Sequence, residues 1–279
     1  MDLPDRIKDL VTDEAYQTDD MGMSGSSIQI YADKILKIQE HNEESENEYR
    51  MMQYLRGKLP VPEVYAYETA DGLSYLLMSK CPGQMACARE YMTDPPMQCR
   101  MLADGLKRLW GVDISSCPSD QRLAHKLEHA RYNVENNLVD LDNVEPDTFG
   151  EKGFRDSAAL LQWLYDNRPD EEPVLSHGDY CLPNIFGMGE RVSGYIDLGK
   201  TGIADKWCDI AICYRSLSHN HSGKYHVETV PNVDMVPHGD MVPHWEACAH
   251  YDEMLLFREL GIEPDWEKIR YYLLLDELF

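Results

Sequence analysis

The chain has 279 residues, 26 Lys+Arg against 50 Asp+Glu for a formal net charge of −24, and is 43% hydrophobic and 10% aromatic. That apolar share is enough for a core in one or two domains and excludes global disorder. So acidic a surface repels nucleic acid and attracts small cations, and no stretch approaches the roughly 18 apolar residues of a membrane span.

Eight cysteines include no C-x-x-C pair, and Cys208 and Cys213 lie within the apolar run 207–214. Reduced thiols in a soluble, cytoplasmic protein are the expectation. The acidic N-terminus carries no apolar leader segment.

In chain order, residues 28–38 alternate β-branched and other side chains around Ala32-Asp33-Lys34, which predicts a β-hairpin. Helix formers follow over 43–58, with Met51, Met52, Tyr54 and Leu55 as the apolar stripe and Pro60 and Pro62 as the stop. A second hairpin is predicted from 64–68 and 73–78 about Asp71-Gly72. After Cys81-Pro82-Gly83 helical periodicity dominates at 96–110, 120–138 and 153–167. Short strands interrupt it between 174 and 198, and the tail from 262 to 279 is spaced for one helical face. The sequence therefore predicts an N-terminal unit over 1–80, a connecting segment at 79–83 and a helical unit over 84–279. The His-rich stretch 219–244, with Asp-Met-Val-Pro-His at 234–238 and 240–244, reads as an inserted loop.

Chemistry concentrates in His177-Gly178-Asp179-Tyr180-Cys181-Leu182-Pro183-Asn184, followed by Ile196-Asp197-Leu198-Gly199. The spacing H-x-D-x4-N and then D-x-G is that of phosphoryl transfer. Such a reaction needs a carboxylate to orient the acceptor hydroxyl, a role that suits Asp179. It also needs oxygen ligands for Mg²⁺, which Asn184 and Asp197 supply. Alone, each of these residues reads as a turn or cap residue; together at this spacing they read as a site. Lys37 on the first hairpin and Glu48 on the following helix supply a phosphate-binding cation and its orienting partner. Ahead of them, Gly22-Met23-Ser24-Gly25-Ser26-Ser27 is a small-residue loop whose backbone N–H groups, with Ser24, Ser26 and Ser27, can approach phosphate.

These motifs, together with Gly57-Lys58-Leu59-Pro60-Val61-Pro62, Leu77-Met78-Ser79, Ala204-Asp205-Lys206-Trp207, Pro264-Asp265-Trp266 and Leu275-Asp276-Glu277-Leu278-Phe279, run through almost the whole chain. The sequence resembles the aminoglycoside 3′-phosphotransferases, kinase-like antibiotic-resistance enzymes. The resemblance implies an α+β, two-lobed protein-kinase-like fold: an N-terminal antiparallel sheet plus helix, and a mainly helical C-terminal lobe. It implies ATP as donor, with GTP as the alternative, and Mg²⁺ as the metal. Backbone groups of Ser79 and Cys81 then face adenine, and the C-terminal carboxylate of Phe279 with Asp276 and Glu277 faces the amines of a cationic aminoglycoside.

Residues 135–172 hold 11 Asp+Glu against Lys152, Arg155 and Arg168. Glu145, Asp147 and Glu151 there read either as a substrate-facing loop or as a solvated face. Arg215 matches a family position near the active-site acids, as a substrate-side group or as a structural partner of Asp179 or Asp205. Two features depart from the family pattern: Ile35, where some members place an aromatic over adenine, and the 219–244 stretch. The rival functions are a kinase of the same fold acting on choline, a sugar amine or a macrolide, and a non-catalytic binder of cationic ligands. Neither a nucleic acid nor a membrane is an expected partner, and the sequence assigns no oligomeric state.

Overall fold

The computed structural model describes residues 3–12, 14–19, 26–151, 153–222 and 251–279. Helix α1 (Asp5–Val11) precedes a five-stranded antiparallel sheet made of β1 (Gln17–Asp19), β2 (Ser27–Ile30), β3 (Lys34–Glu40), β4 (Val64–Ala70) and β5 (Leu73–Ser79), in the order β1-β2-β3-β5-β4. Between β3 and β4 lies α2 (Glu43–Leu55), opened by a capping box in which Asn42 accepts from Ser45 N–H and Ser45 Oγ accepts from Asn42 N–H. The β4–β5 turn places Asp71 at φ 53° and Gly72 at φ 78°. Two consecutive positive φ values match a two-residue turn to the strand twist, and this favours Asp-Gly there.

Strands β3 and β5 carry buried side chains on both faces, and their period of two assigns each side chain a layer. On one face Leu36, Ile38, Tyr75 and Leu77 pack with Ile7 and Val11 of α1 into a small core. On the other, Leu76 and Met78 join Met51, Met52 and Leu55 of α2 in the main core, which continues into the second lobe. Lys37 alternates with Leu36 and Ile38 and thus points to the α2 side.

After β5 the chain runs through β6 (Gln84–Met85), α3 (Arg89–Met92) and α4 (Pro95–Trp110), followed by α5 (Leu123–Glu135) and α6 (Ser157–Asp166). Next come β7 (Pro173–Ser176), β8 (Ile185–Met188), β9 (Arg191–Tyr195) and β10 (Gly202–Asp205), which form a β10–β7 pair and a β6-β8-β9 sheet. Helices α7 (Lys206–Ser222), α8 (Leu255–Leu260) and α9 (Trp266–Asp276) complete the chain. This is the expected α+β architecture. Asp205 locks the end together: its buried carboxylate accepts from Tyr272 Oη at 2.8 Å and from Lys268 Nζ at 3.2 Å, tying α9 to the start of α7.

The stretch from 219 is not wholly a loop. His219 and His221 lie in the last turn of α7, where His221 is buried; residues 223–250 are outside the described residues. Among the described residues no helix is long and apolar enough to cross a membrane, and the seven described cysteines are all free thiols.

Candidate active site

Lys37, Glu48 and Asp197 meet where the lobes face each other. Lys37 Nζ donates to Glu48 Oε2 at 2.9 Å and to Asp197 Oδ1 at 2.8 Å, across 160 positions of sequence in the second case. Gln39 Nε2 donates to the same Glu48 oxygen at 3.1 Å. Burial opposes the charge on Lys37, but Glu48 and Asp197 outweigh it and raise its pKa above the ordinary lysine value. Burial likewise pushes Asp197 up, and Lys37 more than reverses this, leaving the carboxyl below its usual range. The pair is thus ionised through neutral pH. The Lys37–Glu48 pair is the buried one, and removing one member of such a pair costs about 3–5 kcal/mol, because the other charge is left unpaired.

Asp197 sits at φ 58° just after β9, a left-handed conformation that Asp tolerates better than most residues. The segment that follows it is held by Asn47, whose buried amide on α2 donates to Gly199 O and to Thr201 O, both at 2.8 Å. Nothing in the local sequence of Asn47 marks it as a cross-lobe tie.

The loop after β7 carries Asp179 and Asn184. Asn184 Nδ2 donates to Asp179 Oδ2 at 2.9 Å and to Asp179 O at 3.1 Å. Its backbone carbonyl accepts from Ile196 N–H at 3.0 Å, which ties the loop to the residue before Asp197. Gly178 adopts φ +88°, and a Cβ there would come within 2.1 Å of Lys200 O, so glycine lets this loop lie against the segment after Asp197. Thr201 Oγ1 donates to His177 O at 2.8 Å, a second tie between the two segments.

The loop is anchored by Asp209 on α7. Its carboxylate accepts from Ser176 Oγ at 2.9 Å, His177 N–H at 2.8 Å and Gly178 N–H at 2.9 Å, and it is fully buried. Burial raises its pKa above the ordinary aspartate value against the pull of His177 and those hydrogen bonds. Sequence reading missed Asp209; the one available signal was a lone acid inside the apolar run 207–214. Lys200 was missed as well. Burial disfavours its charge, but Asp276, Glu44, Asp179 and Asp197 together raise its pKa above the ordinary value.

A cleft open to solvent adjoins this loop. Glu44, Gly178, Lys200, Asp276 and Phe279 are among the residues that line it, with Glu43 and His129. Glu43 and Glu44, at the first turn of α2, are further carboxylates that the sequence had not singled out.

Other expected residues fall in different surroundings. Arg215 pairs with neither Asp179 nor Asp205: it donates to Asp276 and, at 3.2 Å, to Glu277 Oε1. The correction has a topological reason, since α7 and α9 pack together and present these groups to each other, whereas Asp205 is saturated by Lys268 and Tyr272. Glu277 is largely enclosed: its Oε2 accepts from Glu145 N–H at 2.7 Å and from Thr148 Oγ1 at 3.4 Å. Asp276 keeps more exposure, and Phe279 is at the surface. Glu145 Oε1 lies 3.3 Å from His219 Nε2, and Asp147 is exposed.

Ser26 is buried before β2, Ser27 opposes Ile38, and Ser24 lies outside the described residues. Ser79 N–H donates to Glu63 O at 2.8 Å and its Oγ accepts from Glu63 N–H at 3.0 Å. Burial pushes the Cys81 thiol up to about 12, so it stays protonated and its backbone is the part with binding capacity.

Comparison with known proteins accords with this geometry. Residues 21–232 match the phosphotransferase enzyme family. An aminoglycoside 3′-phosphotransferase of Enterococcus faecalis is 40% identical over 238 residues, 84% of this chain and 78% of its own. One from Staphylococcus aureus is 40% identical over 238 residues, 84% and 79% of the two chains. Among solved structures, an aminoglycoside-3′-phosphotransferase of type VIII superposes with a TM-score of 0.74 at 25% identity, covering 99% of this chain and 98% of that one. The kinase-like fold, the arrangement around Lys37 and Asp179 and this degree of identity lead to one assignment: the chain belongs to the phosphotransferase enzyme family, with the aminoglycoside 3′-phosphotransferases.

Proposed function

We propose that this chain transfers the γ-phosphoryl group of ATP to the 3′-hydroxyl of an aminoglycoside and so confers resistance to that antibiotic. The observation that carries the reading is Lys37 held between Glu48 and Asp197, one loop away from an Asp179 carboxylate oriented by Asn184.

In this reading the lobes divide at 79–83, and the donor base lies against the Ser79 carbonyl and the Cys81 backbone. Lys37 binds the α/β phosphates, kept on aim by Glu48, while Ser24, Ser26 and Ser27 contribute from the preceding loop. Asn184 Oδ1 and Asp197 Oδ2 are hard oxygen donors left over after their protein hydrogen bonds, a set that fits Mg²⁺. When bound, Mg²⁺ neutralises charge on the phosphate oxygens. Asp179 uses Oδ2 on Asn184 and turns its other oxygen to the acceptor hydroxyl, orienting it and receiving its proton. Little bond-making is asked of the protein, and the rate comes from positioning and charge complementarity.

Substrate choice follows from the cleft. Glu44, Asp276 and the carboxylate of Phe279 replace the hydration of ammonium groups. Glu277 and Arg215 then act mainly by holding Asp276 in place, with Glu145 and Asp147 on the adjoining loop. Consumption of ATP and the seven free thiols among the described residues support a cytoplasmic setting.

The test is ADP release by purified protein with ATP and Mg²⁺, using kanamycin and a matched analogue lacking the 3′-hydroxyl. Turnover with kanamycin alone is expected. Turnover with both would overturn the regiochemistry, and turnover with neither across an aminoglycoside panel would move the substrate to choline, a sugar amine or a macrolide.

A further inference from the structure

On the rim of the cleft, away from the phosphate-binding residues, His125 and His129 stand one helical turn apart on α5. Residues at i and i+4 share a helix face, and the two imidazole centroids are 4.4 Å apart. Buried Leu123, Leu127 and Ala130 fix the helix against the core, so the histidine face is held outward toward α2. Glu43, the first residue of α2, meets them: its Oε2 is 3.5 Å from His129 Nε2 and its Oε1 is 4.0 Å from His125 Nε2. One ligand atom from each of the three residues lies within 4.8 Å of the other two.

Tetrahedral zinc with ligand bonds near 2.0–2.1 Å sets its donors about 3.3 Å apart. The observed spacing thus needs only a small contraction of exposed or half-exposed side chains. Two imidazoles and one carboxylate leave a fourth position for water, the pattern of an open zinc site. Nitrogen donors also separate this site from the oxygen-only set around Asp197, because imidazole selects zinc, nickel and copper over magnesium.

We infer that Glu43, His125 and His129 form a transition-metal site, with zinc as its natural occupant, that clasps α2 of the N-terminal lobe to α5 of the C-terminal lobe at the mouth of the cleft. Lys126 also lines the cleft and lowers the affinity by repulsion, while Glu44 offsets it. Neither the phosphoryl-transfer residues nor the nucleotide enters the argument, so the site stands or falls separately from the proposed reaction.

The experiment is calorimetric titration of chelator-treated, full-length protein with zinc chloride, paired with thermal unfolding. One equivalent is expected at this site together with a rise in Tm, since a ligand held by both lobes stabilises the folded state. His125→Ala/His129→Ala should abolish that equivalent and the Tm rise, and Glu43→Gln should weaken binding at least about tenfold. Magnesium at the same concentration should give no shift that depends on these residues. Replacing His226, His238 and His244 by Ala separates the His-rich stretch from the clasp, and this variant should keep the equivalent. Zinc binding unchanged in the double variant, binding lost with the His-rich stretch, or no Tm rise at roughly tenfold excess of zinc over protein would each overturn the inference.

Discussion

At the residue scale, Asp179 and His221 show how differently two polar side chains are used. Asp179 is half-exposed and oriented by one amide, and in the proposed reaction its other oxygen faces the acceptor. Asp179→Ala should reduce kcat by at least about 10³-fold, combining lost proton transfer with lost orientation, while nucleotide affinity, set by Lys37 and its partners, stays near that of the parent. Near-normal turnover in a steady-state assay would remove Asp179 from the chemistry. His221 is instead buried against Tyr251, with ring centroids 4.3 Å apart and Nε2 2.8 Å from Gln98 Oε1. Burial lowers its pKa from near 6.5 to about 4. Between those values the unfolded chain binds the proton and the folded one does not, so this group's contribution is complete above pH 6.5 and is lost as pH falls toward 4. Denaturant titrations at pH 7 and pH 5 should show a smaller acid loss for His221→Gln than for the parent, and equal losses would refute the buried neutral ring.

At the scale of elements, the loop after β7 depends on a helix that follows it in sequence. Asp209→Ala leaves the His177 N–H without its buried acceptor, a cost of about 1–3 kcal/mol, and leaves Gly178 N–H with only Ser176 Oγ at 3.1 Å. Because the loop also carries Asp179, a shift of about 1 Å should lower kcat about 10²-fold, with a smaller change in the nucleotide KM. A variant with lower Tm but parental kcat would assign Asp209 to stability alone. The end of α9 is similarly double-purposed. Leu278 is fully buried and its carbonyl accepts from Asn133 Nδ2 at 2.9 Å, so deleting residues 276–279 should destabilise the fold by about 2–5 kcal/mol as well as weaken substrate binding. Asp276→Asn isolates the charge: the aminoglycoside KM should rise about tenfold, the equivalent of one charge-assisted hydrogen bond. An unchanged KM would exclude Asp276 from the drug site.

At the scale of the molecule, the net charge of −24 creates a field that draws a polycation toward the cleft. Raising ionic strength from about 0.05 to 0.5 M shortens the screening length severalfold, and kcat/KM for an aminoglycoside carrying several positive charges should fall with it. A weakly charged analogue should show a much flatter dependence in the same stopped or steady-state assays. Parallel behaviour of the two would mean that contact carboxylates, not the overall field, govern capture.

The sequence by itself determined the local elements and the chemical inventory. Period-two runs at β2 and β3, Asp71-Gly72 between β4 and β5, and the apolar spacing of α2, α4 and α9 are properties of adjacent residues, and backbone sterics convert them directly into structure. The motif around His177, Asp179, Asn184 and Asp197 was legible for the same reason, since its spacing is short. Helices α1 and α7 were not foreseen: α1 is a short element stabilised by Ile7 and Val11 packing on the sheet, and α7 is apolar around much of its circumference. Tertiary structure alone decided which distant polar groups meet. It set Lys37 against Asp197, Asn47 against the 199–201 backbone, Asp209 under the loop and Arg215 beside Asp276 and Glu277. The physical reason is that a buried charge or N–H must find a partner, and the partner it finds is set by how lobes and helices pack, which no local pattern encodes.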